Sequence, residues 1–224
     1  MSGDVRASRR LKHKYKRLFT KLEYLYSELD YHKEEHGYRK QEFQEAFLEF
    51  CDDHGYDCST RKVIETYEQK QTDPYKVRLD DQEQQEIIED LFDEPDEDDS
   101  ERDLKNLYKK IAVQTHPDKL MFEEIEAIKE KKKRLFLEAK EALEQENFYR
   151  MSQIASELGL ELPEPNDQQL KWMRTEKKKI EKVLEGITQT FEWVYGEENQ
   201  SAPKINLFYR YVDIIGCVKL EKEG

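Results

Sequence analysis

Glycine and proline are scarce in this chain, 8 and 6 in 224 residues. Neither the dinucleotide nor the P-loop pattern of glycines occurs, so nucleotide binding through those motifs is excluded. Cysteine is scarcer still: Cys51, Cys58 and Cys217 form an odd set at wide spacing. That argues against a disulfide framework and for a reducing compartment. Long apolar runs are missing too, with no stretch near the roughly 20 residues of a membrane span and no apolar signal-peptide core at the N-terminus. The expectation is a cytoplasmic chain without a membrane span. Hydrophobic residues reach 36% against 40% charged, which allows only small cores and disfavours a single deep-cored enzyme.

Aromatic residues are plentiful: 13 Tyr, 10 Phe and 2 Trp supply enough burial to escape wholesale disorder. Acidic residues outnumber basic ones by 51 to 38, for a net charge of -13. A surface of that sign does not wrap nucleic acid as a whole, although local patches can still bind it.

Periodicity gives the organisation. Leu11, Tyr15, Leu18, Leu22, Leu25 and Leu29 alternate steps of four and three, the seam of a long amphipathic helix. Gly37 is read as a break, and Phe43, Phe47 and Phe50 line a second helix ending near Asp52-Asp53-His54-Gly55, so a helical hairpin is expected. Asp73-Pro74 marks a linker. Ile87, Ile88, Leu91 and Phe92 share a helical face, and an acidic loop, Asp93 to Asp99, follows. Ser100 and Asp103 have capping-box spacing and predict a helix start. Its inner face is Leu104, Leu107, Tyr108, Ile111 and Ala112, with Lys105, Lys109 and Lys110 outside, and Pro117 stops it at His116. A further pattern runs from Phe122 through the basic stretch Lys129 to Arg134 and on to Leu158, where Gly159 ends it. After Pro163 and Pro165, Leu170, Met173, Ile180, Leu184, Ile187, Phe191 and Val194 keep heptad register, as in a long coiled-coil-like helix. Those heptads leave open whether the helix folds back or makes a homodimer. The expected fold is all-α in three segments: 1-80 a hairpin and linker, 81-162 a central domain, 163-224 a C-terminal helical segment.

One constellation discriminates among functions. Residues 104–119, Leu-Lys-Asn-Leu-Tyr-Lys-Lys-Ile-Ala-Val-Gln-Thr-His-Pro-Asp-Lys, resemble helix II and the following loop of a J-domain, the module of DnaJ-like co-chaperones. Phe136 and Glu141-Ala142 fall where the third helix of such domains carries its apolar face, and the resemblance covers about 82 to 160. From Ala142 through Leu160 and the proline-broken linker, the chain looks like small bacterial and phage J-domain proteins. The resemblance implies docking on a DnaK-type chaperone ATPase and stimulation of its ATP hydrolysis, with all hydrolytic chemistry in the partner. By position it makes His116, Pro117 and Asp118 the stimulating loop and Lys105, Tyr108, Lys109 and Lys110 the docking face. Gln114 stands where lysine is common and Thr115 where an aromatic is common. Neither touches the tripeptide. The glycine/phenylalanine linker and cysteine repeats of larger J-proteins are missing, so client choice is expected from the flanking helices, with 82 to 160 folding alone.

Three other readings compete. Basic residues from Arg6 to Lys21, interleaved with Tyr15 and Phe19, would suit a nucleic-acid or assembly adaptor, although a solvated helix face is the plainer reading. His32, His36, Cys51, His54 and Cys58 would make a zinc clip if the hairpin closed, at a spacing that matches no standard finger. Carboxylates are too numerous for proximity to carry information, and no Ser or Cys has a nucleophile context. No catalytic residue, metal or cofactor is expected, and Trp172 and Trp193 are read as interface plugs.

Overall fold

A computed structural model describes residues 2–57, 97–116, 125–198 and 200–220. Among them the fold is all-α: α1 Ser2–His54, β1 Tyr56–Asp57, α2 Glu97–Thr115, α3 Glu126–Glu144, α4 Phe148–Glu157, α5 Asp167–Thr188, α6 Phe191–Glu197, α7 Ser201–Ile215 and β2 Val218–Lys219. The two strands form one short antiparallel pair, Tyr56 opposite Lys219 and Asp57 opposite Val218. The Asp73-Pro74 linker and the Ile87 to Phe92 cluster lie outside the described residues.

The expected hairpin is a single helix of 53 residues. Glycine inside a helix costs only about 1 kcal/mol relative to alanine. The apolar residues on both sides of Gly37, Leu22 to Leu29 and Phe43 to Phe50, are buried and outweigh that cost. The zinc clip fails with the hairpin, because His36 and Cys51 are 15 residues apart on one helix, about 22 Å along its axis. No cluster of metal ligands occurs among the described residues.

Two further helices end earlier than periodicity predicts. The pattern from Phe122 to Leu158 is broken at Gln145–Asn147, where Glu146 takes a positive φ of 52° and Asn147 Oδ1 accepts from the Arg150 N–H at 2.9 Å, capping α4. The heptad helix stops at Thr188. Thr190 turns to extended backbone, its hydroxyl accepts from the Trp193 N–H, and α6 starts afresh. In both places a side-chain cap outcompetes a continuous apolar stripe.

The chain divides into two compact units, residues 1–25 with 79–178 and residues 26–78 with 179–224. Unit 1 is built on α2, α3 and α4, which pack against one another. Leu104, Leu107 and Ile111 of α2, Leu135, Ala139 and Ala142 of α3, and Phe148, Tyr149, Met151 and Ile154 of α4 are buried. The N-terminal part of α1 and the first turns of α5 complete this core: Phe19 meets Tyr149 at 4.8 Å between ring centroids and Phe148 stacks on Trp172 at 6.0 Å. Asp103 does not serve the expected capping box, since α2 already begins at Glu97. Its carboxylate accepts from Asn166 Nδ2 at 2.6 Å and Gln169 Nε2 at 3.0 Å, tying α2 to the start of α5.

Unit 2 holds an aromatic core of Phe43, Phe47, Phe50, Phe208 and Tyr211 with Cys51, Val212 and Ile215. Arg39 lies 4.1 Å from the Trp193 ring, donates to the Trp193 carbonyl at 3.0 Å and pairs with Glu35 at 2.9 Å. Gly55 and Gly216, both near φ +70°, turn the chain out of α1 and α7 into the strand pair, where the Leu220 N–H donates to the Gly55 carbonyl at 2.7 Å. Cys217, beside β2, is disulfide-bonded, which runs against the expectation of a reducing compartment without a disulfide framework. The strand pairing brings together two segments far apart in the sequence. Cys51 keeps a buried thiol, with its pKa pushed up to about 11 by desolvation, and the remaining cysteine, Cys58, lies outside the described residues.

Candidate functional site

The motif residues sit at the C-terminal end of α2. Leu104, Leu107, Ile111 and Thr115 recur at three- and four-residue steps and are buried, fixing which side of α2 faces α3 and α4. Thr115 is fully buried, and its hydroxyl donates to the Ile111 carbonyl at 2.8 Å.

His116 continues the helical path, since its N–H donates to the Ala112 carbonyl at 2.9 Å. Its side chain is exposed, yet the ring stands edge-on to Phe136 of α3 at 5.3 Å. Phe136 also meets Tyr108, with ring centroids 6.4 Å apart. One α3 aromatic therefore touches both the half-buried tyrosine and the histidine that ends the helix. Pro117 and Asp118 lie outside the described residues.

At about 100° per residue, Lys105, Lys109 and His116 fall within about 40° of one another on α2. All three are exposed. Lys110 is exposed as well, but about 100° round the helix from Lys109. The structure thus joins three of the expected residues with Tyr108 at their border and sets Lys110 apart.

Lys109 and Lys110 of α2 also differ from the basic stretch of α3. On α3, Lys129 pairs with Glu126 at 3.6 Å, Lys131 with Glu157 at 2.8 Å, Lys133 with Glu130, and Arg134 with Glu138 at 3.5 Å. The ammonium of Lys133 beside Glu130 lowers that carboxyl's pKa. Lys109 and Lys110 make no ion pair among the described residues. Exposed charges of that kind remain available to a partner.

Phe136 and Thr115 are the residues that motif reading undervalued. Phe136 was visible as part of an apolar face, but its position between Tyr108 and His116 needs the α2–α3 packing. Thr115 carried no periodic signal beyond its four-residue step from Ile111.

Trp172 and Trp193 are both buried, as interface plugs should be. No helix among the described residues is long and apolar enough to cross a membrane. No family model, curated protein or solved structure matches the chain.

Proposed function

We propose that this chain is a J-domain co-chaperone that docks on a DnaK-type chaperone ATPase and stimulates its ATP hydrolysis. The observation that carries the reading is the end of α2: Lys105, Lys109 and His116 share an exposed face, His116 is braced by Phe136, and Pro117-Asp118 follow directly in sequence. A positively charged helix face followed directly in sequence by a proline and a carboxylate suits an acidic partner surface that must also feel a negative group. Lys105, Lys109 and Tyr108 dock, and His116, Pro117 and Asp118 stimulate. Lys110 contributes long-range attraction, because its place on the helix keeps it out of the same contact.

In this reading the chain carries no catalytic residue and needs no cofactor. Client choice comes from the elements outside the α2–α4 core, and the homodimer first read into the heptads is not required. A cytoplasmic location follows from the partner. The Cys217 disulfide weighs against that location, since cytosolic disulfides are rare. Single-turnover ATP hydrolysis by the host chaperone, with the wild-type chain and with Asp118→Asn, tests the proposal.

A further inference from the structure

Unit 1 contains a cavity of about 690 Å³ between the N-terminal part of α1 and the start of α5. Five cationic side chains line it: Lys14, Arg17 and Lys21 from α1, Arg174 and Lys177 from α5. Among the described residues no carboxylate lines it. In a chain with 51 acidic and 38 basic residues, a wall of one positive sign is a local reversal of the surface. Arg174 Nη1 is shielded from solvent and has no hydrogen-bond partner among the described residues. A buried guanidinium N–H without an acceptor costs about 1–3 kcal/mol or more, so such groups are normally matched by an acceptor.

The charge continues beyond the cavity. Arg6, Arg10, Lys14, Arg17 and Lys21 follow one another at steps of four, four, three and four, which places them on one face of α1. All five are exposed. Fifteen residues of helix make the stripe about 22 Å long, the rise of about six nucleotides at 3.4 Å each. Tyr24 also lines the cavity and is 54% exposed, with the Lys21 ammonium 4.9 Å from its ring. Leu18 and Leu170 add apolar wall.

We propose that this cleft binds the sugar–phosphate backbone of a nucleic-acid strand, a second activity separate from chaperone docking. Guanidinium groups of Arg17 and Arg174 suit paired phosphate oxygens, and the tyrosine beside them offers a face for a base. An acidic polypeptide would use the charges but not the aromatic and apolar wall between them. The docking face on α2 is not used, so the two activities fail independently.

The test uses the full-length chain and a fluorescently labelled single-stranded 20-nucleotide probe, read by anisotropy. With five phosphate contacts at about 0.7 counterion each, binding weakens about 100-fold between 50 and 200 mM salt. Two double variants remove equal charge from α1. Arg17→Glu with Lys21→Glu lies on the cleft side and weakens binding at least 10-fold at 50 mM salt. Arg9→Glu with Lys16→Glu lies about 110° round the helix from that pair and changes it less than 3-fold. Circular dichroism confirms that both doubles keep the helical fold. Equal losses from the two doubles, salt-independent binding, no binding of the probe, or displacement of the probe by polyglutamate at equal charge concentration would overturn the proposal. A chain that binds the probe normally while failing to stimulate the chaperone upholds it and sinks only the co-chaperone reading.

Discussion

His116 and Phe136 stand edge to face, ring centroids 5.3 Å apart and planes 81° from parallel. The contact joins the exposed end of α2 to the side of α3, so the placement of the His116 ring depends on a residue 20 positions downstream.

Phe136→Ala should therefore weaken chaperone stimulation several-fold while leaving the chain folded. Phe136 is only half-buried, so its truncation costs less than the roughly 3–5 kcal/mol of a core phenylalanine. Phe136→Tyr keeps the ring and should restore stimulation. Single-turnover hydrolysis alongside thermal unfolding separates the positioning role from a loss of fold, and a fully active alanine variant would dismiss it.

The lysines should divide by face. Charge reversal of Lys105 with Lys109 slows association with the chaperone and removes much of its salt dependence, because exposed complementary charges act chiefly through steering. Reversal of Lys110 alone has a smaller effect. Stopped-flow association at 50 and 200 mM salt is the measurement. Salt-independent binding of the wild type would point instead to apolar docking through Tyr108.

A fragment of residues 82–160 should fail to fold. It lacks Leu22, Leu170, Trp172 and Met173, whose burial contributes about 1.5–3 kcal/mol each, and it loses the Asn166 and Gln169 bonds to Asp103. Those losses are comparable to the whole 5–15 kcal/mol stability of a typical domain. This replaces the sequence expectation of a self-sufficient central segment. A sharp thermal transition in the fragment would show that the flanks are dispensable for folding.

Acid should weaken unit 2 through His36. Burial lowers its pKa, an effect opposed by Glu192 of α6 and reinforced by Lys40 of α1. The unfolded chain then takes up the proton first, so stability is fullest above about pH 6.5 and falls as pH drops toward the lowered folded-state pKa. Urea unfolding at pH 7.5 and 5.5 should show a smaller pH difference for His36→Gln than for wild type. An unchanged difference would mean that His36 is not the group responsible.

Much of the architecture was legible because helices announce themselves by periodicity. Leu104, Leu107 and Ile111, the Phe43 to Phe50 face and the stop at Gly159 are where a 3.6-residue repeat and a left-handed cap put them. Breaks were harder to read. Gly37 passed as an interruption because its local cost is visible in sequence, whereas the burial that offsets it depends on distant partners. Asn147 and Thr190 look like ordinary polar residues inside apolar patterns until their side chains cap new helices. Asp103 has the spacing of a cap and the partners of a tertiary clamp. At the candidate site, the shared face of Lys105, Lys109 and His116 follows from helix geometry alone. The Phe136 contact and the joining of α1 and α5 cations around one cavity are products of packing and have no periodic signature.

The central claim is tested most directly by single-turnover hydrolysis of ATP by the host DnaK-type chaperone in the presence of this chain or its Asp118→Asn variant. The substitution keeps the size of the side chain and removes one charge from the sequence that follows α2. The account predicts accelerated hydrolysis with the wild type and the unstimulated rate with the variant, at equal melting temperatures. Equal rates with both proteins would contradict it.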